Sequence, residues 1–415
     1  MKKTLLLIIL WAPLCCFAQK YVGGDISLLP TYIEHGANYK DKDGKKISDM
    51  LVFLKEQGMN TMRVRLFVDP SNATDKEKGE GVRQDLEYVK ALGKQIKDAG
   101  LSFMLDFHYS DTWADPSHQT LPQEFQMVNT PAYEYIYTYT KASLEALVEV
   151  GATPDFIQIG NEISFGMLWD GCKVTANSAW TAYKDDNWSS LATALKNAGR
   201  ACREICPDAK IIIHTEQCTN NPTLDVAFFK RIKDNEVDYD IIGTSYYPYY
   251  KGRVSSLDKG LTQLETNFPE KKIMIVETGC TYHYKMGDED KQYYPLTYEG
   301  QRQFTEDLIT MLNKHQNVNG LFWWFLEANE YGLDWNTKRV TDEWYNASLF
   351  DNETGRALPA LYELKNFANG SSGINEVRGK MSEGRDDKYY DLNGRQVKTP
   401  RKGIYILNGK KVIVR

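Results

Sequence analysis

Short apolar runs rich in β-branched residues alternate with amphipathic stretches eight times along this chain. The runs are Val22–Ser27, Thr61–Phe67, Ser102–Phe107, Phe156–Ile159, Ile211–His214, Ile241–Ser245, Ile273–Glu277 and Leu321–Phe325. Several are almost continuously hydrophobic, as strands covered on both faces must be. Helical periodicity fills intervals such as Leu86–Ala99, Ala132–Val150, Trp188–Ile205, Asp225–Asn235 and Glu299–Leu312, and Leu358–Ala368 supplies the last helix. Pro131 and Pro207 stand where helices start and stop. Parallel strands need crossover helices, and closing the sheet removes both edges. The pattern therefore predicts an α/β fold, a (β/α)8 TIM barrel. A doubly wound open sheet is the competing architecture, but its phosphate-binding GxGxxG is absent.

The barrel is expected to occupy residues 19–369. Residues 1–18 read as a secretory leader: Lys2 and Lys3, an apolar run from Leu5 to Trp11, and a small-residue exit at Ala18. Cys15 or Cys16 as a lipid acceptor is the alternative, though Pro13-Leu14 fits a lipobox poorly. Secretion to the periplasm or cell surface follows. From 370 the text changes to a Gly370–Gly373 linker and short strands at Tyr389–Leu392, Gly403–Leu407 and Lys411–Val414, a small β-rich C-terminal module. Residues 371–415 carry net charge +6, which leaves about −14 on residues 19–370. So acidic a body argues against nucleic acid as partner. The basic tail is either a solubilising surface or a means of association with an anionic cell envelope. Cys172, Cys202, Cys206, Cys218 and Cys280 form no disulfide framework and read as free thiols, with a strained Cys202–Cys206 bridge as the alternative.

In such a barrel, reactive side chains gather where strands end at the C-terminal mouth. This chain offers Arg63 and Arg65 at the end of strand two, Asp106 through Pro116 where strand three runs out, and Asn161 and Glu162 after strand four. Tyr246 and Tyr247 follow strand six, Glu277 ends strand seven, and Trp323 and Trp324 lie on strand eight. A lone glutamate ending an apolar strand reads most simply as a solvated loop carboxylate or a partner for Arg65. Glu162 and Glu277 are two, three strands apart around an eightfold ring, and they face each other across the mouth. Opposed carboxylates in an aromatic-lined cleft are what glycoside hydrolysis requires. One must stay protonated to donate to the leaving oxygen, and the other ionised to attack the anomeric carbon. Arg65 is expected to hold Glu277 anionic, Tyr246 to hydrogen-bond the same carboxylate, and Asn161 to bond a sugar 2-hydroxyl.

Gly160-Asn161-Glu162 with Glu277 resembles the clan of retaining (β/α)8 glycosidases. More narrowly, Gly23–Ser27, Met62–Leu66, His108–Pro116, Gln158–Ile163 with Gly166–Trp169, Ala347–Asp351 and Ala357–Pro359 resemble glycoside hydrolase family 53, the endo-β-1,4-galactanases. The resemblance covers about residues 20 to 368, and its most specific part is the Asp106–Pro116 string. It implies hydrolysis of β-1,4-galactan in the type I arabinogalactan of pectin, with Glu162 as acid/base and Glu277 as nucleophile. It also implies that Arg65, His108, Asn161 and Tyr246 support the nucleophile and the sugar, and that Trp323 floors the cleavage subsite. Other retaining activities, β-1,4-mannanase or cellulase, stay open, as does a non-catalytic glycan-binding surface protein.

Most aromatic residues belong to packing, and Trp180 and Trp188 are expected in helix packing or a surface loop. Trp113, Trp169, Tyr247 and Trp324, in mouth positions, are candidate sugar-stacking surfaces, because a sugar's C–H face packs well on an indole. No HExxH spacing suggests zinc, and no cofactor is required. Some family members bind calcium between the last two mouth loops. Here the Lys285–Lys291 segment lacks the acidic, His-containing run expected; Asp288 and Asp290 are the remaining oxygen ligands, and a solvated acidic loop is the alternative reading. The tail, through Asp391–Arg395 and Lys402–Ile406, resembles C-terminal β modules of secreted Bacteroidetes proteins, some of which are sorting signals.

Overall fold

The computed structural model describes residues 19–283, 285, 291–334, 336–342, 345–368, 374–376, 389–390, 396–397, 403–407 and 410–414. Eight parallel strands close into a barrel: β1 (Tyr21–Asp25), β2 (Thr61–Leu66), β3 (Ser102–Phe107), β4 (Phe156–Ile159), β5 (Lys210–Thr215), β6 (Ile241–Tyr246), β7 (Lys272–Thr278) and β8 (Val318–Trp323). Each strand pairs with its neighbours in chain order, and Tyr21 opposite Gly320 closes the ring. The crossovers are α1 (Met50–Glu56), α2 (Leu86–Asp98), α3 (Ala132–Glu149), α4 (Trp188–Ile205), α5 (Pro222–Asp234), α6 (Val254–Asn267) and α7 (Tyr298–Leu312), with α8 (Pro359–Glu363) closing the series. The expected final helix is two pieces, α8 and a turn at Lys365–Ala368.

Aspartate and asparagine side chains set several helix starts. Asp85 accepts from the Tyr88 N–H, and Asn221 from the Leu224 N–H, so orphan donors of the first turn are satisfied. The helices bury their apolar faces against the barrel wall in one large core.

Inside the barrel the strands alternate, and the side chains stack in layers. Met104, Phe156, Ile212, Ile241, Met274, Val276 and Phe322 plug the interior. Nearer the mouth the inward positions turn polar: Asp25, Arg63, Arg65, Asp106, Gln158, His214 and Ser245 are all fully buried there. Gly23 is obligatory below this layer, because a Cβ would sit 1.7 Å from the Thr61 carbonyl oxygen.

Strands at Ile374–Glu376, Tyr389–Tyr390, Gln396–Val397, Gly403–Leu407 and Lys410–Val414 form a five-stranded sheet of their own. Among the described residues no helix is long and apolar enough to cross a membrane.

Candidate active site

The polar layer opens into a cavity of about 750 Å³ at the C-terminal ends of the strands, lined by Trp113, Asn161, Glu162, Glu216, Tyr247 and Glu277 among others. Glu277 reaches it through an irregularity in β7. Thr244 and Ser245 of β6 oppose Ile275 and Glu277, and Leu321 and Trp323 of β8 oppose Ile275 and Thr278. Both neighbours thus meet one extra residue in β7, a bulge. Val276 fills the barrel interior, and Glu277 beside it also turns inward.

Arg63 organises what lies beneath Glu277. Its Nη2 donates to Glu277 Oε1 at 2.8 Å, Asp106 Oδ2 at 2.7 Å and Asn161 Oδ1 at 3.0 Å, while Nη1 donates to Asp25 Oδ2 at 3.0 Å. The Tyr247 hydroxyl donates to the other carboxylate oxygen, Oε2, at 3.0 Å. Arg65, also fully buried, donates to Asp25 Oδ1 at 2.6 Å. Two guanidinium groups therefore face three carboxylates, Asp25, Asp106 and Glu277. Burial, with the neighbouring carboxylates, pushes Glu277 above its ordinary value against the pull of Arg63. Asp106 goes the other way, below its ordinary value: burial opposes its charge, but Arg63 and His108 outweigh burial.

Glu162 stands on the turn leaving β4. Gly160 at φ 98° and Glu162 at φ 48° are both left-handed, a conformation that costs a non-glycine residue and that the surrounding contacts must hold. The Glu162 N–H donates to His214 Nδ1 at 3.3 Å, and His214 Nε2 lies 2.8 Å from Ser245 Oγ. Burial keeps His214 neutral, its pKa well below 6.5, so Nδ1 accepts and Nε2–H donates. The Glu162 carboxyl is raised by burial, against the Lys251 charge and a hydrogen bond from Ser245. A third carboxyl, Glu216, follows β5 with 1 % of its surface exposed. Burial and the Glu162 charge push it up to about 7.

Residues 21–364 match the description of glycosyl hydrolase family 53. The chain belongs to that family. The catalytic domain of a family 53 protein from Ignisphaera aggregans superposes with TM-score 0.73 at 31% identity, covering 84% of this chain and 96% of that one. A structure from a study of two fungal β-1,4-galactanases superposes with TM-score 0.68 at 26% identity, covering 84% and 99%. The endo-β-1,4-galactanase of Bacillus subtilis is 26% identical over 380 residues, 82% of this chain and 84% of that protein. This chain is accordingly a glycoside hydrolase.

Several expectations for this family 53 enzyme need correction. Arg65 does not serve Glu277: Asp25 holds it, and its guanidinium carbon sits 4.6 Å from the Trp113 ring and 5.0 Å from the Trp324 ring. Tyr246 does not reach Glu277 either. Strand alternation turns it outward, where its hydroxyl donates to the Gly252 carbonyl at 2.8 Å and its ring faces Phe304. The outward position also claims Trp323, fully buried, with Nε1 donating to the Ala347 carbonyl at 2.7 Å; Trp324 lines the cavity in its place. His108 lies behind the wall. Its Nδ1 accepts from the Ala114 N–H at 3.0 Å and its Nε2 is 3.1 Å from Asp106 Oδ2, so it braces the loop that carries Trp113.

Asn161, Trp113 and Tyr247 line the cavity. The Asn161 side chain is tied down: Nδ2 donates to the Ala114 carbonyl at 2.8 Å while Oδ1 accepts from Arg63. Trp169 lies outside the main cavity, with the Lys173 ammonium 3.7 Å above its ring. Asp288 and Asp290 lie outside the described residues, among which no group of three or more His, Cys, Asp or Glu is placed to hold a metal. The five cysteines from Cys172 to Cys280 are buried and free. Glu216 was not expected at the site, although it carries the signal that marked Glu162 and Glu277: an acid directly after an apolar strand. Arg63 was visible too, two residues before Arg65 and so on the same strand face.

Proposed function

We propose that this enzyme is a retaining endo-glycosidase that hydrolyses β-1,4-galactosidic bonds in galactan, the side-chain polymer of pectic type I arabinogalactan. The names of the relatives support the substrate. The observation that carries the mechanism is the unequal setting of two glutamates in one cavity. Glu277 receives a charged hydrogen bond from Arg63 and a phenolic one from Tyr247. Glu162 receives a neutral hydroxyl from Ser245. Charge-assisted bonds are about twice as strong as neutral ones. The proton that the two raised, neighbouring carboxyls share therefore rests on Glu162, and the negative charge on Glu277.

The reaction then runs in two displacements. A Glu277 oxygen attacks the anomeric carbon as the glycosidic bond breaks, and Glu162 gives its proton to the departing oxygen. Water next attacks the glycosyl ester, Glu162 takes the water proton, and Glu277 leaves as carboxylate. Asn161, held by Ala114 and Arg63, keeps one amide N–H for the sugar 2-hydroxyl. Trp113 and Trp324 offer ring surface to the C–H faces of the sugar.

Reducing-sugar release from galactan, β-mannan and cellulose tests the substrate, with galactan expected to dominate; preferential release from mannan or cellulose overturns it. NMR of the first-formed anomer tests the stereochemistry: β is expected, and α as first product defeats retention. Retention also requires carboxyl groups about 5–5.5 Å apart. Secretion through residues 1–18 suits a polymeric substrate, and N-terminal sequencing of the exported protein checks cleavage after Ala18.

A further inference from the structure

The turn that leaves β4 with Glu162 continues into a long excursion, residues 163–187, whose path is specific. Gly166–Met167 and Cys172–Lys173 pair as a small hairpin, and the Trp169 N–H donates to the Gln119 carbonyl at 2.8 Å. The excursion then turns at Asn177, where the Trp180 N–H donates to the Asn177 carbonyl and Asn221 Nδ2 donates to the Trp180 carbonyl at 2.7 Å. Trp180 is held there at φ 55°, a left-handed conformation rarely given to a large aromatic, with 54% of its surface exposed. Its ring stands edge-on to Phe165, centroids 5.9 Å apart. Trp180 is thus in a surface loop rather than helix packing, held in a left-handed conformation and open to solvent.

Two hollows link this residue to the catalytic cavity. His118 and Thr120 line both the main cavity and a hollow of about 420 Å³, whose far wall is Trp169. Trp169 also borders a hollow of about 590 Å³ lined by Phe165, Lys173, Trp180 and Lys184. On that side the Lys173 ammonium covers the Trp169 ring, which leaves Trp180 as the open aromatic surface and Lys173 as a hydrogen-bond donor beside it. The path leaves the cavity past His118 and Thr120 and then follows the loop that carries Glu162, from Trp169 to Trp180. The acid must stand next to the leaving oxygen, so this path belongs to the leaving-group side of the scissile bond.

We propose that the hollow between Trp169 and Trp180 is a distal subsite for galactosyl units on the leaving-group side, with Trp180 as its stacking platform; this rests on the galactan reading above. Trp180→Ala is the test, with its exposed side chain removed and its backbone bonds kept. Relative to wild type, KM for linear β-1,4-galactohexaose should rise about fivefold, and for galactotriose less than twofold, as loss of one stacking contact predicts. Direct binding of the hexaose, followed by titration calorimetry in a Glu277→Gln background, should weaken by the same factor. Equal hexaose affinity with and without Trp180 overturns the subsite. An equal loss on triose and hexaose also overturns it, since the effect would then lie in the main cavity. A wild type that binds the hexaose without cutting it, its affinity falling on Trp180→Ala, overturns the galactanase reading and leaves the subsite standing.

Discussion

The cavity has two walls that present the same functional group in opposite ways. At the wall built by β1, β2, β3 and β7, Glu277 belongs to an ionic network with Arg63, Asp25 and Asp106. At the wall built by β4, β5 and β6, Glu162 is held by neutral hydrogen-bonding groups, His214 and Ser245, beside the buried carboxyl of Glu216, and the Lys251 charge acts on it through space. Burial raises both glutamates, so burial does not distinguish nucleophile from acid. The donors do. One wall is a network of ion pairs, and the other holds its carboxyl mainly through neutral hydrogen bonds.

The largest contrast comes from neutralising each carboxylate. Glu277→Gln should lower kcat by about 10⁴-fold or more on every substrate, because the covalent step loses its nucleophile. Glu162→Gln should be equally damaging on galactan yet recover most of its bond-breaking rate on an aryl galactobioside whose leaving group needs no proton. Initial rates on both substrates decide it; if the two variants respond alike, the walls do not differ as argued.

The arginines sharpen the ionic side. Breaking a buried pair by removing one partner costs ~3–5 kcal/mol, and Arg63 has three carboxylate partners where Arg65 is seen with one, Asp25. Arg63→Lys keeps the charge but not the fork, so it should lower kcat by about 10²–10³-fold and melt at lower temperature. Arg65→Lys should cost under tenfold. Rates and thermal melts of the pair read this out, and the reverse order would return Arg65 to the role expected from sequence.

That Tyr246 and Trp323 face outward has a physical reason. The barrel was legible because continuous apolar strands and amphipathic helices repeat their periods for many residues: the ends of β3, β4 and α4 coincide with expectation. Which side a strand-end residue faces depends on a single step of alternation. Tyr246-Tyr247 and Trp323-Trp324 offer the same chemistry at both parities, so composition gives no hint. The bulge that turns both Val276 and Glu277 inward leaves no signature in β7 either; Glu277 was found only because an acid at the end of an apolar strand draws notice. Glu216 has the same signature, but the apolar run before it, Ile211–His214, ends one residue short of the strand itself, and the acid stands apart from it.

That parity can be tested one hydroxyl at a time. Tyr247→Phe removes the donor to Glu277 Oε2 and should lower kcat by about 10²-fold, in the range of losing one oriented donor at a reacting charge. Tyr246→Phe removes only a bond to the Gly252 carbonyl, and should cost about 1 kcal/mol of stability with kcat within twofold. Steady-state kinetics with denaturant titrations separate the two, and a larger kcat loss in Tyr246→Phe would refute the observed facing.

The smallest effect belongs to the neutral wall and appears as a displacement in pH. Glu216 is raised by the Glu162 charge, so by reciprocity a charged Glu216 raises Glu162. With its own pKa near 7, Glu216 gains charge in the range where Glu162 must still keep its proton. Glu216→Gln removes that charge, and the Glu162 pKa falls. The alkaline limb of kcat/KM should therefore move to lower pH by about half a unit, while the acid limb, set by ionisation of Glu277, moves less. A purely structural Glu216 would lower kcat/KM by one factor at every pH and leave both limbs in place, so the pH profile, rather than the rate at any single pH, decides whether this third carboxyl tunes the acid.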